Sequence, residues 1–540
     1  MINFYLDIAR LTNPTRLYSD YLKGGLSDIF RCNFLDSKAA GKIAADIDAK
    51  DYSRQELYGI ILDGNRRLGA SEKTLENIER FKQPDALCVF AGQQTSFCAN
   101  PMYVIYKALT TVKLARRYQE SLGRPVVPCF WMATDDHDFE EVRSANFLER
   151  SGDLKTAKYE PDNDPSGFPI AGIVLDNGVH KFCEVVDRAL IDTEFKRPLL
   201  DSFKEFYSPG KKLSEAFAGV FNKFLGEWGI ILIDPNFLGL KEHFKHIFKK
   251  EILEHSQTHV LYEQRSMTLL NNGYHAQVHK TGENLNLFYH NPKRLNLAIN
   301  GDSFNLTGSD EKYTSEELQK TVEKSPDRFS SNVLLRPVAQ CAAFPTLCQV
   351  VGLSELAYFA QIEPLFGFFD VPFPVVYPRA GMTIIEPQIK KTLYKYELDL
   401  PTLKNNLERS IGEVVEKLFP SEAANNVLSL NQCLNKDLDG FAEKMKDSDP
   451  EGYQHIVKYK IHLDFELKQL QKKLKSSNKK RHDNLSEQIR RASAFLFPGG
   501  NLQERMISPL YYANKFGPEI FKQIYDGLEI DKPVHSVLEL

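Results

Sequence analysis

Short apolar runs that stop abruptly on polar residues set the rhythm of the first two thirds of this chain. Residues 86–92 (ALCVFAG) are apolar without alternation and end on glycine, the pattern of a strand buried on both faces. Residues 125–133, 229–235 (GIILIDP) and 372–381 (PFPVVYPRAG) repeat it. Between the first two, the pattern predicts a helix over 101–121, with Asn100 as N-cap and Pro101 as first helical residue. Residues 330–340 and 356–369 read as core helices or loop-helix units. HAQVHKT (275–281), NLNLFYH, RLNLAIN and DSFNLT read as short strands of a β-rich insertion. Widely separated strands interleaved with helices make an interrupted, doubly wound α/β sheet.

The ends of the chain differ from this middle. Residues 1–85 show helical periodicity with charged faces and form a packing layer. Beyond Pro387 the pattern is helical and charged, and residues 451–497 hold no proline, enough for a helix of up to about 70 Å. Ile456, Tyr459, Leu463, Leu467, Leu470 and Leu474 recur at spacings of three and four. Leu485 and Ile489 resume the stripe after a polar interruption near Asn478 and Arg481. This is a coiled-coil or long antiparallel hairpin signature, an arm for self-association. The expected plan is an N-terminal layer (1–85), an α/β core (86–387) with insertions near 150–225 and 260–330, a coiled-coil arm (388–497), and a terminal segment (498–540) packing back on the core.

Composition narrows the function classes. A length of 540 residues calls for several domains, and 42% hydrophobic with 26% charged residues is ordinary for a globular protein. A net charge of −4 offers no general attraction to nucleic acid or anionic membrane. No apolar run approaches the roughly 18 residues of a membrane span, and the start, MINFYLDIARL, lacks the apolar core of a signal peptide. Eight cysteines without a CxxC pair indicate reduced thiols and a cytoplasmic location. A catalytic thiol is the alternative, and Cys98, in the loop ahead of a helix, is the best candidate for it.

Chemistry gathers where the strands end, the side on which parallel sheets bind ligands. After the first strand come Gln93 and Gln94, whose amides suit a sugar, carboxylate or phosphate. Tyr103 and Lys107, four apart, share a helix face, and Lys107 either neutralises phosphate or is solvated. After the second strand comes TDDHDFEE (134–141). His137 can move a proton, with Asp136 or Asp138 orienting it, and Asp135 can join them in holding hydroxyls. A solvated polar strand end is the alternative, and no second His/Cys cluster supports a metal site. A third group comprises Arg336 and Gln340 in LLRPVAQ, Glu355 and Tyr358 in GLSELAYFAQ, and Tyr377 and Arg379 in VVYPRA. Either arginine can clamp a carboxylate or phosphate. Lys458 to Arg491 holds eleven Lys/Arg against four Asp/Glu, a solvated coiled-coil face or an anion contact. The phosphate loop GxxxxGK[ST], the dinucleotide turn GxGxxG and the nucleophile elbow GxSxG are missing.

The run GQQTSFCANPMYVIYKALTTVKLA with GRPVVPCFWMATDDHDFEEV resembles the bacillithiol-biosynthesis family of cysteine ligases, the BshC family. So do GYHAQVH, SSNVLLRPVAQ, ELAYFAQ, PVVYPRA and NLQER, in order to near the end of the chain. The resemblance implies a Rossmann-like parallel core with inserted connecting segments and a C-terminal α-helical coiled coil that dimerises. It implies a ligase joining L-cysteine to glucosaminyl-malate, with ATP or ADP as the associated nucleotide. On that reading His137, Asp136 and Asp138 serve as general base and its orienting groups. Gln93, Gln94, Tyr103, Lys107, Asp135, Arg336, Gln340, Glu355, Tyr358, Tyr377 and Arg379 would bind substrate, and no metal takes part. A non-catalytic nucleotide- or sugar-binding module of the same fold is the other reading. The chain departs from its relatives at Asn100-Pro101, usually Gly-Pro, and at Val351 to Glu355, where relatives have a glycine-rich turn.

Overall fold

The structure is a computed structural model that describes residues 2–418 and 422–540. Its centre is a five-stranded parallel sheet: β1 (Leu87–Gln93), β2 (Val126–Met132), β3 (Ile231–Ile233), β4 (Thr346–Val351) and β5 (Val375–Pro378). The spatial order is β5-β4-β1-β2-β3, and β1 and β2 run in continuous register from Leu87↔Val126 to Gln93↔Met132. All of β2 and β4 is buried, which is why their sequences lack alternation. Helix α1 (Tyr103–Leu122) crosses from β1 to β2. Helix α2 (Arg336–Ala343) leads into β4, and α3 (Leu353–Phe368) connects β4 to β5. From β1 the chain moves outward to β2 and β3, and later returns to the other side of β1 as β4 and β5. The direction therefore reverses between β1 and β4, and the crevice beyond their carboxyl ends is where such sheets bind ligands.

Two local expectations are corrected. The crossover helix begins at Tyr103, not Pro101, and the Asn100–Pro101 bond is cis. Asn100 has extended backbone, and its amide reaches the Ser144 carbonyl (3.4 Å) instead of capping the helix. HAQVHKT forms no strand. The Gln361 side chain takes the place of a sheet neighbour: its Oε1 accepts from the Gln277 and Val278 amides at 3.0 and 2.9 Å, and its Nε2 donates to the Val278 carbonyl at 3.0 Å.

The rest of the insertion is an antiparallel sheet of Asn284–Asn291, Lys293–Asn300, Ser303–Leu306, Lys312–Thr314 and Phe329–Ser331. Period-two alternation splits its first strand. Leu285, Leu287 and Tyr289 pack inward, with Tyr289 5.2 Å edge-on to Phe329. Asn286, Phe288 and His290 take the opposite face. A three-stranded sheet places Ile2–Leu6, His535–Glu539 and Gly381–Ile385 side by side. The first compact unit comprises residues 1–384 with 501–538.

The second unit, residues 385–500 with 539–540, is helical. Helices α4 (Glu422–Met445) and α5 (Pro450–Leu496) form an antiparallel pair. Asn431 bonds Asp464 at 2.9 Å, and Lys460 pairs with Asp439. The 47 residues of α5 span about 70 Å. Leu485 and Ile489 are buried, Ile456, Leu463 and Leu467 half-buried, while Tyr459 and Phe465 are 74% and 56% exposed. The side chains of Leu474, Asn478 and Arg481 lie outside the described residues.

Candidate functional site

At the crevice the structure brings Gln93, Tyr103, Lys107 and Glu355 together. Lys107, one turn inside α1, is 2% exposed. Its ammonium donates to the Gly92 carbonyl (2.7 Å) and Gln93 Oε1 (3.1 Å), and pairs with Glu355 Oε2 at 2.5 Å. Glu355 also accepts from the Gly352 amide (2.6 Å), closing the turn into α3. Lys107 thus ties the end of β1 to the end of β4. Burial pushes its ammonium below the usual lysine range, and Glu355 opposes that shift. Gln93 Nε2 reaches the Tyr103 hydroxyl at 3.3 Å, and the Arg379 guanidinium lies 5.3 Å from the Tyr103 ring centre.

Arg336, Gln340 and Tyr358 form the adjoining wall. Arg336 donates to Gln340 Oε1 (3.0 Å) and the Tyr358 hydroxyl (3.4 Å), and Gln340 is fixed by Gln349 at 2.8 Å. Arg336 remains half-exposed. Arg379 is engaged elsewhere: it pairs at 2.5 Å with the buried Glu504, which also accepts from the Met382 amide. Tyr377 is turned away from the crevice, its hydroxyl donating to the Ile530 carbonyl.

The acidic run after β2 divides its labour. Asp135 is an anchored anion. It accepts from Lys241, itself 1% exposed, at 2.9 Å and from Asn236 at 3.0 Å, and Lys241 also donates to the Phe329 carbonyl. Burial is the largest influence and raises the Asp135 carboxyl, but the charge and hydrogen bond of Lys241 together with the other neighbouring cationic groups hold it below its ordinary value. Asp136 accepts from Gln94 Nε2 (2.7 Å) and the His137 amide (2.8 Å), linking the ends of β1 and β2. Asp138 is exposed and caps the short helix Phe139–Val142 through the Glu141 amide. It does not orient His137.

The group beside His137 is Arg294, from the inserted sheet. Its Nη1 is 3.0 Å from His137 Nδ1 and 3.3 Å from Asp136 Oδ1. The guanidinium is held by Ser330 Oγ (3.1 Å) and the Ser331 carbonyl (2.9 Å), and lies 3.8 Å from the Phe288 ring centre. His290, on the same strand face, bonds Ser330 Oγ at 2.8 Å, and burial next to Lys241 lowers its imidazole to about 4. Lys241, His290 and Arg294 escaped the sequence reading because no local motif marks them. The alternation Asn286, Phe288, His290 was the available signal, since polar and aromatic residues on one strand face are unusual for a face that meets a core.

Cys98, the candidate reactive thiol, is fully buried, and burial pushes its thiol well above the usual range. Among the described residues no group of three or more His, Cys, Asp or Glu could hold a metal ion, and no helix is long and apolar enough to cross a membrane.

The sequence is similar to known proteins along nearly its whole length. Residues 5–380 match the family model "Bacillithiol biosynthesis BshC, N-terminal Rossmann-like domain". Residues 382–540 match "Bacillithiol biosynthesis BshC, C-terminal coiled-coil domain". Relatives named "Putative cysteine ligase BshC" include one from Salinibacter ruber, 30% identical over 93% of this chain and 92% of its own. Others come from Chlorobaculum tepidum, 27% identical over the full length of both, and Bacillus cytotoxicus, 26% identical over 92% of each.

Proposed function

The chain belongs to the BshC family of bacillithiol biosynthesis, and from that premise we propose that it is a cytoplasmic ligase joining L-cysteine to the amine of glucosaminyl-malate. The observation that supports this most is the crevice at the sheet's reversal point, lined by amides, a hydroxyl and a half-exposed arginine. Such a set suits a hydroxyl-rich, carboxylate-bearing substrate. Gln93, Tyr103 and Glu355 face the sugar and its amine, and Arg336 takes a carboxylate. Lys107 preorganises the cleft, because its charge is already matched by Glu355.

A carboxylate does not react with an amine at neutral pH, so the cysteine carboxyl needs activation by a nucleoside triphosphate as an acyl-adenylate or acyl-phosphate. The amine nitrogen then bonds to the carbonyl carbon, the bond to the phosphate oxygen breaks, and the nitrogen loses its proton. The exposed apolar positions Tyr459 and Phe465 on α5 fit a homodimer built on the coiled coil.

Purified protein supplied with L-cysteine, glucosaminyl-malate and ATP tests the reading. Mass spectrometry should show the cysteinyl product, with loss in Gln93→Ala and Arg336→Ala. Omitting ATP distinguishes an activated from an unactivated route. Binding without product, under every nucleotide condition, would leave a non-catalytic module and overturn the ligase.

A further inference from the structure

The contact between Arg294 and His137 defines what the histidine can do. A guanidinium has five N–H donors and no acceptor, and it stays charged throughout the physiological range. Where Arg294 Nη1 lies 3.0 Å from His137 Nδ1, the nitrogen of the ring must be the acceptor. Nδ1 therefore carries a lone pair, and the single ring proton of the neutral imidazole sits on Nε2. Arg294 is placed firmly enough to enforce this. Its side chain is 8% exposed, three further hydrogen bonds, to Ser330, Ser331 and Asp136, fix it, and the Phe288 ring covers one face. Asp136, 3.8 Å from Nδ1 and bonded to Gln94 and Arg294, does not compete for that position.

A ring fixed this way has no basic nitrogen facing outward. Its Nε2–H has no protein partner among the described residues, and the side chain is 41% exposed. We propose that His137 is a hydrogen-bond donor, stabilising the oxyanion formed at the activated cysteine carbonyl, and that Arg294 is the positioning residue that sets its tautomer. This rests on the ligase reading above. In the step itself the amine attacks the carbonyl carbon and the carbonyl π electrons move to oxygen, which receives the Nε2–H hydrogen bond. Collapse then expels the phosphate-bearing leaving group, and the amine proton passes to solvent.

The test has two arms. Full-length protein carrying ¹⁵N-histidine is examined by two-bond ¹H–¹⁵N correlation, with the His137 signals assigned by their loss in His137→Gln. The expected pattern is an unprotonated Nδ1 and a protonated Nε2, moving toward a mixture of tautomers in Arg294→Met. A ring protonated on Nδ1 overturns the proposal, as does a pattern that a folded Arg294→Met leaves unchanged.

In the second arm, product formation is compared between His137→Gln, which keeps an N–H donor but has no basic site, and His137→Ala. Alanine should cost about 10²-fold, the usual effect of losing one oxyanion donor, and glutamine at most about tenfold. Equal loss in both overturns the donor role. If Arg294→Met does not fold, the wild-type tautomer and the Gln/Ala pair still decide. If the wild type makes no product, the ligase reading falls, and the oxyanion role falls with it, while the tautomer is judged on its own.

Discussion

Replacing Lys107 with methionine removes a charge that the fold has built around. The ammonium and the Glu355 carboxylate are 2.5 Å apart, with Lys107 2% and Glu355 23% exposed. At an effective dielectric of about 20 their attraction is roughly 7 kcal/mol. Much of that offsets the cost of taking the ammonium out of water. Breaking one partner of a buried pair costs about 3–5 kcal/mol. Glu355 keeps the Gly352 amide and some water, so Lys107→Met should lie near the lower end, about 3 kcal/mol. Glu355→Gln, which leaves the lysine buried with its Gly92 and Gln93 acceptors, should cost a similar amount. The double variant strands no charge and should cost much less than the sum, giving a coupling of about 2 kcal/mol or more. Urea denaturation followed by intrinsic fluorescence measures all four proteins, and the single variants should shift the midpoint by about 1 M or somewhat less. Coupling below about 0.5 kcal/mol would refute the idea that this pair clamps β1 to β4. Product formation should not recover in the double variant, because the polar floor of the cleft is gone even where stability returns.

Acid should destabilise the first unit through His290 and His535, both held near 4 by burial against an ordinary 6.5. Between those values the unfolded chain binds more protons, so stability falls as pH drops from 6.5 toward 4, by up to about 3 kcal/mol per histidine. His535→Gln should flatten melting curves recorded across that window, and an unchanged slope would reject the assignment. Gln94→Ala cuts the link to Asp136 and should lower product formation about tenfold with under about 1 kcal/mol of stability lost, measured by parallel kinetics and denaturation. Tyr459→Glu with Phe465→Glu should convert a dimer to a monomer by light scattering while melting stays unchanged. Of eight cysteines only Cys433 is exposed, so a thiol reagent should titrate about one fast thiol in native protein and none in Cys433→Ser.

Four of the five strands of the parallel sheet were legible because each is an apolar run too short for a helix and too uniform for a half-exposed strand; β4 was missed, since Thr346 and Gln349 break its apolar run although both are buried. The long α5 was legible from spacing and the lack of proline. Within the site, residues at strand ends could be picked out, but not what each one does. Asp138 looks like its neighbours in sequence and is a helix cap in space, because the chain turns helical directly after it. Lys107 reads equally as a solvated lysine, and only its burial between two strand ends decides the matter. Arg294 and Lys241 lie more than a hundred residues from the acids they meet, on elements whose position depends on the assembled sheet. Local pattern carries no information about such pairs.

The spatial order of the sheet also governs how the chain must be made. β1 is central, yet the strand on its β4 side is synthesised about 260 residues after it. At typical synthesis rates of about 5–20 residues per second, that edge waits roughly 13–50 s for its partner. During the wait it presents a strand that is apolar from Leu87 to Ala91, with unpaired backbone groups, the kind of surface that recruits other nascent chains. Expression at reduced translation temperature, or with holdase chaperones in excess, should therefore raise soluble yield more than any stabilising substitution in the coiled coil.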